Sequence, residues 1–414
     1  MFGNRQIDHF KDEKGQYFKC GVAENEMSQI MKRSALGVIL AVLAISPLST
    51  MVLAQETRIA QTPPMGWSGF FPSTKSGDEL IRAEADAMVS TGMKAAGYEY
   101  MNVDDCWEGG RDSLGNICPN GHYPDMKALV DYVHRKGLKF GIYSSPGLKT
   151  CAGFEGSFGH EEQDAESFAA WGVDYLKYDW CSGSGDQVAA YRRMYEALKR
   201  TGRPILYALC QYGRERGWAW GASVGGNVWR TTSDIALNGI SYDDISLVGF
   251  EQNGLERFAG PGHWNDPDGL LIGQPGIDDD EARTQMSLWC LLASPLIASN
   301  DLTQMSPQTL AILTNPEVIA VNQDKAGIQG HRVAEEGPLE VWMKPLADGS
   351  KAVGLFNREG APIPVTVSFR DAGLPESVQL RDLWARKDLG VFQRSYTATV
   401  PRHGVVMLKA TGQF

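Results

Sequence analysis

Lys177 and Asp179 occupy alternate positions of the apolar run Tyr175–Cys181, which stops at a turn. In a strand, alternate residues share a face. At the carboxyl end of a parallel barrel strand, that face is where catalytic groups gather. Other apolar runs end in the same way, with Asp104-Asp-Cys-Trp107, Tyr143, Cys210-Gln-Tyr212, Trp229-Arg-Thr-Thr-Ser-Asp234 and Trp264-Asn-Asp-Pro-Asp268. Brought to one mouth, these residues make a carboxylate-rich pocket with aromatic walls, an Arg and a Lys. Carboxylates accept hydrogen bonds from sugar hydroxyls, and aromatic faces cover the apolar side of a pyranose. Glycoside cleavage needs two carboxyl groups, one as nucleophile or base and one as acid.

Each residue also has a plainer reading. Asp179 could end a strand, Asp104 and Asp105 could cap a loop, Asp268 could hold an Asp-Pro-Asp turn, and Arg230 could be a structural ion-pair partner. The set as a whole favours the pocket. His160 and His263 read as hydrogen-bonded pocket or core residues rather than proton shuttles. Trp218 and Trp220 fit either an entrance or the core. The cysteines show no zinc-ligand spacing, so neither a metal nor a cofactor is expected.

The elements that must position these groups are legible as alternation. Short apolar runs cover Tyr98–Val103, Leu138–Tyr143, Tyr175–Tyr178, Ile205–Leu209, Asn227–Arg230 and Pro295–Ala298. Helical patterns lie between them at Gly77–Ala96, Met126–Lys136, Glu162–Trp171 and Asp186–Thr201. Asp78 and Asp186 suit helix starts, and Gly97, Gly137, Gly172 and Gly202 suit helix ends. Repeated helix–Gly–strand units predict parallel strands with right-handed crossovers. Residues 55–330 are therefore expected to form a (β/α)8 TIM barrel, with a doubly wound open sheet as the alternative. From 331 to 414 the runs Leu339–Met343, Lys351–Phe356, Ile363–Phe369, Val378–Asp382, Phe392–Val400 and Gly404–Leu408 predict an antiparallel β-sandwich.

The amino terminus reads differently. Met31-Lys-Arg33, the apolar stretch Ala35–Leu48 and the small residues of Val52-Leu-Ala54 have the form of a signal peptide over 31–54. Residues 1–30 are then an upstream extension or a mis-assigned start, a signal anchor being the alternative. The apolar stretch is too short to span a bilayer, so the mature protein is expected to be secreted or periplasmic and free of the membrane. A net charge of −11 offers no electrostatic case for nucleic acid. Export allows cysteines to pair. A bridge from Cys181 to another rim loop would brace the site. Cys106 and Cys118 are expected to form a local disulfide, the alternative being two buried thiols, and Cys210 and Cys290 read as lone buried thiols.

Thr62-Pro-Pro-Met-Gly-Trp67, Asp104-Asp-Cys-Trp107, Lys149-Thr-Cys-Ala-Gly153, Lys177-Tyr-Asp179, Trp229-Arg-Thr-Thr-Ser-Asp234, Gly260-Pro-Gly-His-Trp-Asn-Asp-Pro-Asp268 and Val318-Ile-Ala-Val-Asn-Gln-Asp324 together resemble glycoside hydrolase family 27, the α-galactosidases. The resemblance implies Asp179 as nucleophile and Asp234 as acid/base of a retaining double displacement. It implies Asp104 and Asp105 at the C4 and C6 hydroxyls, Lys177 at ring hydroxyls, and Arg230 and Asp268 near the 2-hydroxyl. Tyr143, Cys151 and Trp67 belong to the pocket wall, and Cys151–Cys181 to a disulfide beside the nucleophile. The two catalytic carboxyls should lie about 5–5.5 Å apart. Lys177 should favour ionised Asp179, and charged Asp179 should favour protonated Asp234.

Three departures bear on specificity. Gln211 and Tyr212 stand where the family often has Glu-Trp, at the sugar's C2 substituent. Both are large, which favours a free 2-hydroxyl and hence a terminal α-galactoside as partner. Gly269 replaces a common Met and Phe70 a common Trp. The same fold acting on α-N-acetylgalactosaminides or β-L-arabinopyranosides is the alternative. A catalytically inactive sugar-binding barrel leaves the paired carboxylates unexplained.

Overall fold

The computed structural model describes residues 59–69, 77–236 and 239–412. The extension and leader read from the sequence lie outside these residues, as does Phe70. Eight parallel strands form the first domain: β1 (Met65–Ser68), β2 (Tyr100–Asn102), β3 (Lys139–Ser144), β4 (Tyr175–Asp179), β5 (Leu206–Cys210), β6 (Val228–Arg230), β7 (Trp264–Asp266) and β8 (Leu296–Ala298). From β1 to β7 each pairs with the next, and β8 pairs with β1. The ring is completed between β7 and β8 by a single bridge, Leu270 to Ala298, with the Leu270 N–H donating to Ile297 O at 2.8 Å. The first domain is thus the expected barrel rather than an open sheet.

Helices α1 (Asp78–Ser90), α2 (Met126–Arg135), α3 (Glu161–Trp171), α4 (Gln187–Arg200), α5 (Tyr242–Phe250) and α6 (Asp279–Leu291) are the principal outer layer. Local chemistry fixes their starts. The carboxylates of Asp125 and Asp186 accept from the N–H groups of Ala128 and Ala189 at the starts of α2 and α4. Asp278 and Glu281 form a reciprocal capping box on α6. The single helix expected over 77–96 is instead broken. Gly92 turns left-handed at φ 91°, and Met93–Ala96 makes a separate turn.

Strand alternation decides which residues enter the barrel. Ser68, Asn102, Tyr175, Lys177, Ala208, Cys210, Arg230 and Asp266 line an axial cavity, each two residues from the next inward position of its strand where two are present. Gly141 also faces close neighbours: a Cβ there would lie 1.9 Å from Asn102 Oδ1. Trp67 takes the opposite parity. Its ring is 3% exposed in the core and its indole donates to Asn300 O at 2.8 Å, so it packs behind the strand and does not line the pocket.

The second domain contains β9 (His331–Glu336), β10 (Leu339–Pro345), β11 (Lys351–Asn357), β12 (Ile363–Ser368), β13 (Ser377–Asp382), β14 (Lys387–Gln393), β15 (Ser395–Val400) and β16 (Val405–Thr411). Six of them form a sheet in the order β9-β10-β11-β16-β13-β14, and β12 pairs with β15. Two expectations change. His331–Glu336 is a strand despite its polar composition, since it runs along the edge against β10. The run Phe392–Val400 is cut at Arg394, which adopts φ 63° and sends its two halves into different sheets.

Helix α6 joins the domains. Its Thr284 hydroxyl donates to His403 O at 2.7 Å, and Ser287 Oγ accepts from the Trp384 indole at 2.9 Å. The buried Lys344 ammonium donates to Cys290 O at 3.1 Å and Val321 O at 2.6 Å. On its barrel side, the Trp289 indole donates to Asp268 O at 2.8 Å. Trp289 is fully buried. Trp289→Phe, which removes that donor and leaves a void, is expected to lower unfolding free energy by about 2–3 kcal/mol. Denaturant melts would check this, and an unchanged midpoint would show that the indole carries no load.

Candidate active site

Two clusters of charge face each other across the barrel mouth. The first is built on β2, β3 and β4. Lys177 Nζ lies 2.8 Å from Asp104 Oδ2 and 5.3 Å from the centre of the Tyr143 ring. Burial opposes the Lys177 charge, but Asp104, Cys210 and Asp179 together outweigh it and hold the ammonium well above its ordinary range. Asp105 donates its N–H to Asp104 Oδ1 at 2.9 Å. Its own carboxylate accepts from Cys106 N at 2.7 Å and Ala152 N at 2.8 Å, which ties the loop after β2 to the loop after β3. Burial raises the Asp105 carboxyl despite these bonds.

Asp179 is 6% exposed. The Tyr143 hydroxyl donates to its Oδ2 at 2.9 Å, whereas Oδ1 accepts no hydrogen bond among the described residues. Burial raises the Asp179 carboxyl. Lys177 and the hydroxyls of Tyr212 and Tyr143 act in the opposite direction. The Cys151–Cys181 disulfide packs against this group, with Cys151 Sγ 3.9 Å from Oδ2. Tyr212 closes the cluster, its hydroxyl 3.4 Å from Cys151 Sγ. Its backbone is left-handed at φ 61°, which aims the ring inward, and Arg214 lies 5.2 Å over that ring. Although a carboxylate and two sulfurs converge here, both sulfurs are spent in the disulfide and offer no thiolate to a metal.

The second cluster surrounds Arg230, which is 3% exposed. One arm of its guanidinium meets Asp234 Oδ1 at 3.0 Å and the other meets Asp268 Oδ2 at 2.9 Å. It also donates to Ser233 O at 2.7 Å, fixing the turn that carries Asp234. Burial works against this charge, but Asp268, Cys210, Asp234 and Asp266 together outweigh it. Asp268 sits at φ 91°, and its carboxylate accepts from Ile235 N and Gly269 N at 2.9 and 2.7 Å. Asp268 therefore holds both the guanidinium and the segment just after Asp234.

Most residues singled out from the sequence meet at this mouth: Asp104, Asp105, Tyr143, Cys151, Lys177, Asp179, Tyr212, Arg230, Asp234 and Asp268. Others do not. Gln211 is fully buried and its amide donates to Arg230 O at 3.0 Å, so it braces β6 from behind while Tyr212 reaches the pocket. The Cys106–Cys118 bridge is absent and Cys106 is a free thiol. The hairpin Glu108–Arg111/Ile117–Pro119 sets Cys118 opposite Gly110 and Glu108 opposite Pro119, so Cys106 is not the residue paired with Cys118. His160 bonds Gln163 and His263 stacks on Trp229, away from proton-transfer roles.

Three residues escaped sequence reasoning. Ser68 donates to Asp104 Oδ2 at 3.4 Å. Glu108 lies buried close to Asp105, neither carboxyl oxygen is bonded among the described residues, and burial raises it far above the usual range. Asp266 faces the cavity, of about 60 Å³, that Asp104, Lys177, Arg230 and Asp268 also line. Its position two residues before Asp268 on a β-strand end was the available signal.

Comparison with known proteins follows the same lines. The family model described as Alpha galactosidase A matches residues 72–324, and that described as Alpha galactosidase C-terminal beta sandwich domain matches residues 336–410. The chain is 43% identical over 398 residues to Alpha-galactosidase A of Cellvibrio japonicus, covering 90% of this chain and 97% of that one. It is 44% identical over 364 residues to Alpha-galactosidase of Cyamopsis tetragonoloba, covering 86% and 88%. Among solved structures, alpha-galactosidase I from Mortierella vinacea superposes with a TM-score of 0.80 at 35% identity, covering 86% of this chain and 98% of that one. The Saccharomyces cerevisiae α-galactosidase with raffinose superposes with a TM-score of 0.79 at 26% identity, with coverages of 86% and 98%.

Removing the central cation tests the second cluster. Arg230→Gln leaves Asp234 and Asp268 without a shared counter-charge, at an expected cost of about 3–5 kcal/mol near neutral pH. The loss should shrink at pH 4, where carboxylates begin to take up protons. Denaturant melts at both values measure it, and an equal loss at each would mean that Arg230 acts only by packing.

Proposed function

The chain belongs to glycoside hydrolase family 27, the α-galactosidases, and from that premise we propose how its residues divide the work. The reaction is hydrolysis of terminal α-galactosides with retention of configuration. Asp179 attacks the anomeric carbon, and the Tyr143 hydroxyl donating to Oδ2 at 2.9 Å holds the carboxylate in place. Asp234 gives its proton to the leaving oxygen. Water then attacks the glycosyl-enzyme, Asp234 takes the water's proton, and the sugar leaves with its original configuration. The carrying observation is the pairing of one carboxylate tethered by a tyrosine hydroxyl with another tethered by a guanidinium at the same mouth.

Asp104, Asp105 and Lys177 hold the sugar's C4 and C6 side, where the ammonium and the paired carboxylates match a run of hydroxyls. Arg230 and Asp268 serve the 2-hydroxyl side and keep Asp234 in place. Tyr212 fills the space beside C2, which selects a hydroxyl over an acetamide. The leader-like segment 31–54 and the Cys151–Cys181 disulfide support export to an oxidising compartment. No helix among the described residues is long and apolar enough to cross a membrane.

Aryl glycosides test the reading directly. The protein from Gln55 onward should prefer the α-galactoside over the α-N-acetylgalactosaminide and the β-L-arabinopyranoside, and another preference would overturn the specificity. Asp179→Asn should abolish turnover in a folded protein, and retained activity would remove it as nucleophile. Asp234→Asn should slow poor leaving groups more than activated ones, and equal slowing would contradict an acid role. Tyr212→Ala should raise turnover of the α-N-acetylgalactosaminide several-fold, whereas no change would exclude Tyr212 as the C2 filter.

A further inference from the structure

Gly269, which follows β7, has no conformational reason to be glycine. Its backbone is not left-handed, so any residue could adopt it. Among the described residues, a Cβ built there would meet only Ile297 O, at 3.3 Å. The space it leaves belongs to the cavity of about 60 Å³ that Asp104, Lys177, Arg230 and Asp268 line as part of the sugar site. One buried water needs about 10–15 Å³ of such space, so the cavity takes a group of a few heavy atoms. None of Tyr143, Asp179, Tyr212 and Asp234 lines it, which places it at the end of the sugar ring away from the reacting carbon. Its wall runs from Gly269 past Ile297 on β8 and Ser68 on β1 to Asp104 after β2. In the eight-strand ring β1 stands opposite β5, whose end carries Tyr212. The opening at Gly269 is therefore on the C6 side of the sugar and turned away from C2. Asn102, 6% exposed, lines the same cavity, and its amide makes no hydrogen bond among the described residues. A buried amide left unpaired is costly, and this one borders a space that a ligand group can fill.

We infer that the opening at Gly269 admits a small uncharged ester on O6, so that the enzyme releases O6-acetylated α-galactosyl residues as well as plain ones. The inference rests on the proposed placement of Asp104 and Lys177 at the C4 and C6 side. O6 is carried on the sugar's one exocyclic carbon, the arm that reaches furthest past the ring. An acetyl group on it brings a carbonyl oxygen for the Asn102 amide and a methyl group for Ile297 and Leu271, which also line the cavity. It brings no charge to disturb the contact between Asp104 and Lys177. The reaction itself is unaltered. The bond from C1 to the leaving oxygen breaks, water supplies a hydroxyl to C1 and a proton to that oxygen, and the ester stays on the sugar.

The test compares kcat/KM for an aryl α-galactoside and for its O6-acetyl ester at mildly acidic pH, where the ester is stable, with the released sugar identified by mass. The protein should hydrolyse the ester within about tenfold of the plain substrate and release O6-acetylgalactose. A larger loss, or release only after the acetyl group has gone, would overturn the inference. Gly269→Met fills the opening and should lower the ratio of ester to plain kcat/KM by at least about tenfold. An unmoved ratio would mean that the ester does not enter there. If Gly269→Met does not fold, Gly269→Val must lower the ratio in the same direction or the inference fails. A Gly269→Met protein that spares the ester and loses turnover of the α-N-acetylgalactosaminide would put the opening at C2, against the inference. The plain substrate separates the two levels. Its normal turnover with the ester refused removes only this inference, whereas failure on the plain substrate removes the functional reading and this inference with it.

Discussion

Arg230 is one buried cation shared between Asp234 and Asp268, and the rest of the site is arranged around that shortage of positive charge. A buried guanidinium is tolerable only when well paired, and a buried carboxylate only when bonded or neutral. The structure answers both demands with backbone. Asp268 takes N–H groups from Ile235 and Gly269, and Arg230 spends remaining hydrogens on the carbonyls of Thr232 and Ser233. The turn carrying Asp234 is thereby fixed by the same groups that neutralise it. Positioning and electrostatics are one requirement here.

The opposite wall uses a different device. Among the described residues Asp179 has no guanidinium beside it, but a tyrosine hydroxyl, a nearby ammonium and a disulfide. The disulfide joins the loop after β3 to the end of β4, so the surroundings of Asp179 are held by a covalent bond. Lys177 reaches Asp104 first and favours ionised Asp179 from a distance. A single lysine therefore serves two carboxylates, Asp104 by direct contact and Asp179 through its field.

The barrel and the identity of its mouth were legible because strand-end polar residues interrupt apolar runs at regular intervals. What was not legible depends on the third dimension. Trp67 and Ser68 are neighbours in sequence, and only the parity of β1 shows that the serine faces Asp104 while the tryptophan faces the core. Gln211 and Tyr212 looked like equal partners at C2 until the left-handed Tyr212 backbone separated them. Cys106 and Cys118 were misread because the hairpin register cannot be deduced from spacing alone. Strand β9 was missed because an edge strand with few apolar residues carries no alternation. Helix α6 left no amphipathic stripe, since it is covered by the barrel on one flank and the sandwich on the other.

That covered helix gives the two-part architecture an unexpected indivisibility. The seam of the barrel, where β7 and β8 meet through one bridge, is spanned by α6, and the sandwich supplies the groups that satisfy its outer flank. A barrel severed at Gly330 would lose Lys344 and Trp384, turning the carbonyls of Cys290 and Val321 and an apolar flank toward water at its least reinforced edge. The second domain is thus the outer half of the barrel's own closure. In exchanging such domains between relatives, the heritable unit is the pair of facing surfaces, with Lys344 and its two carbonyl acceptors travelling together.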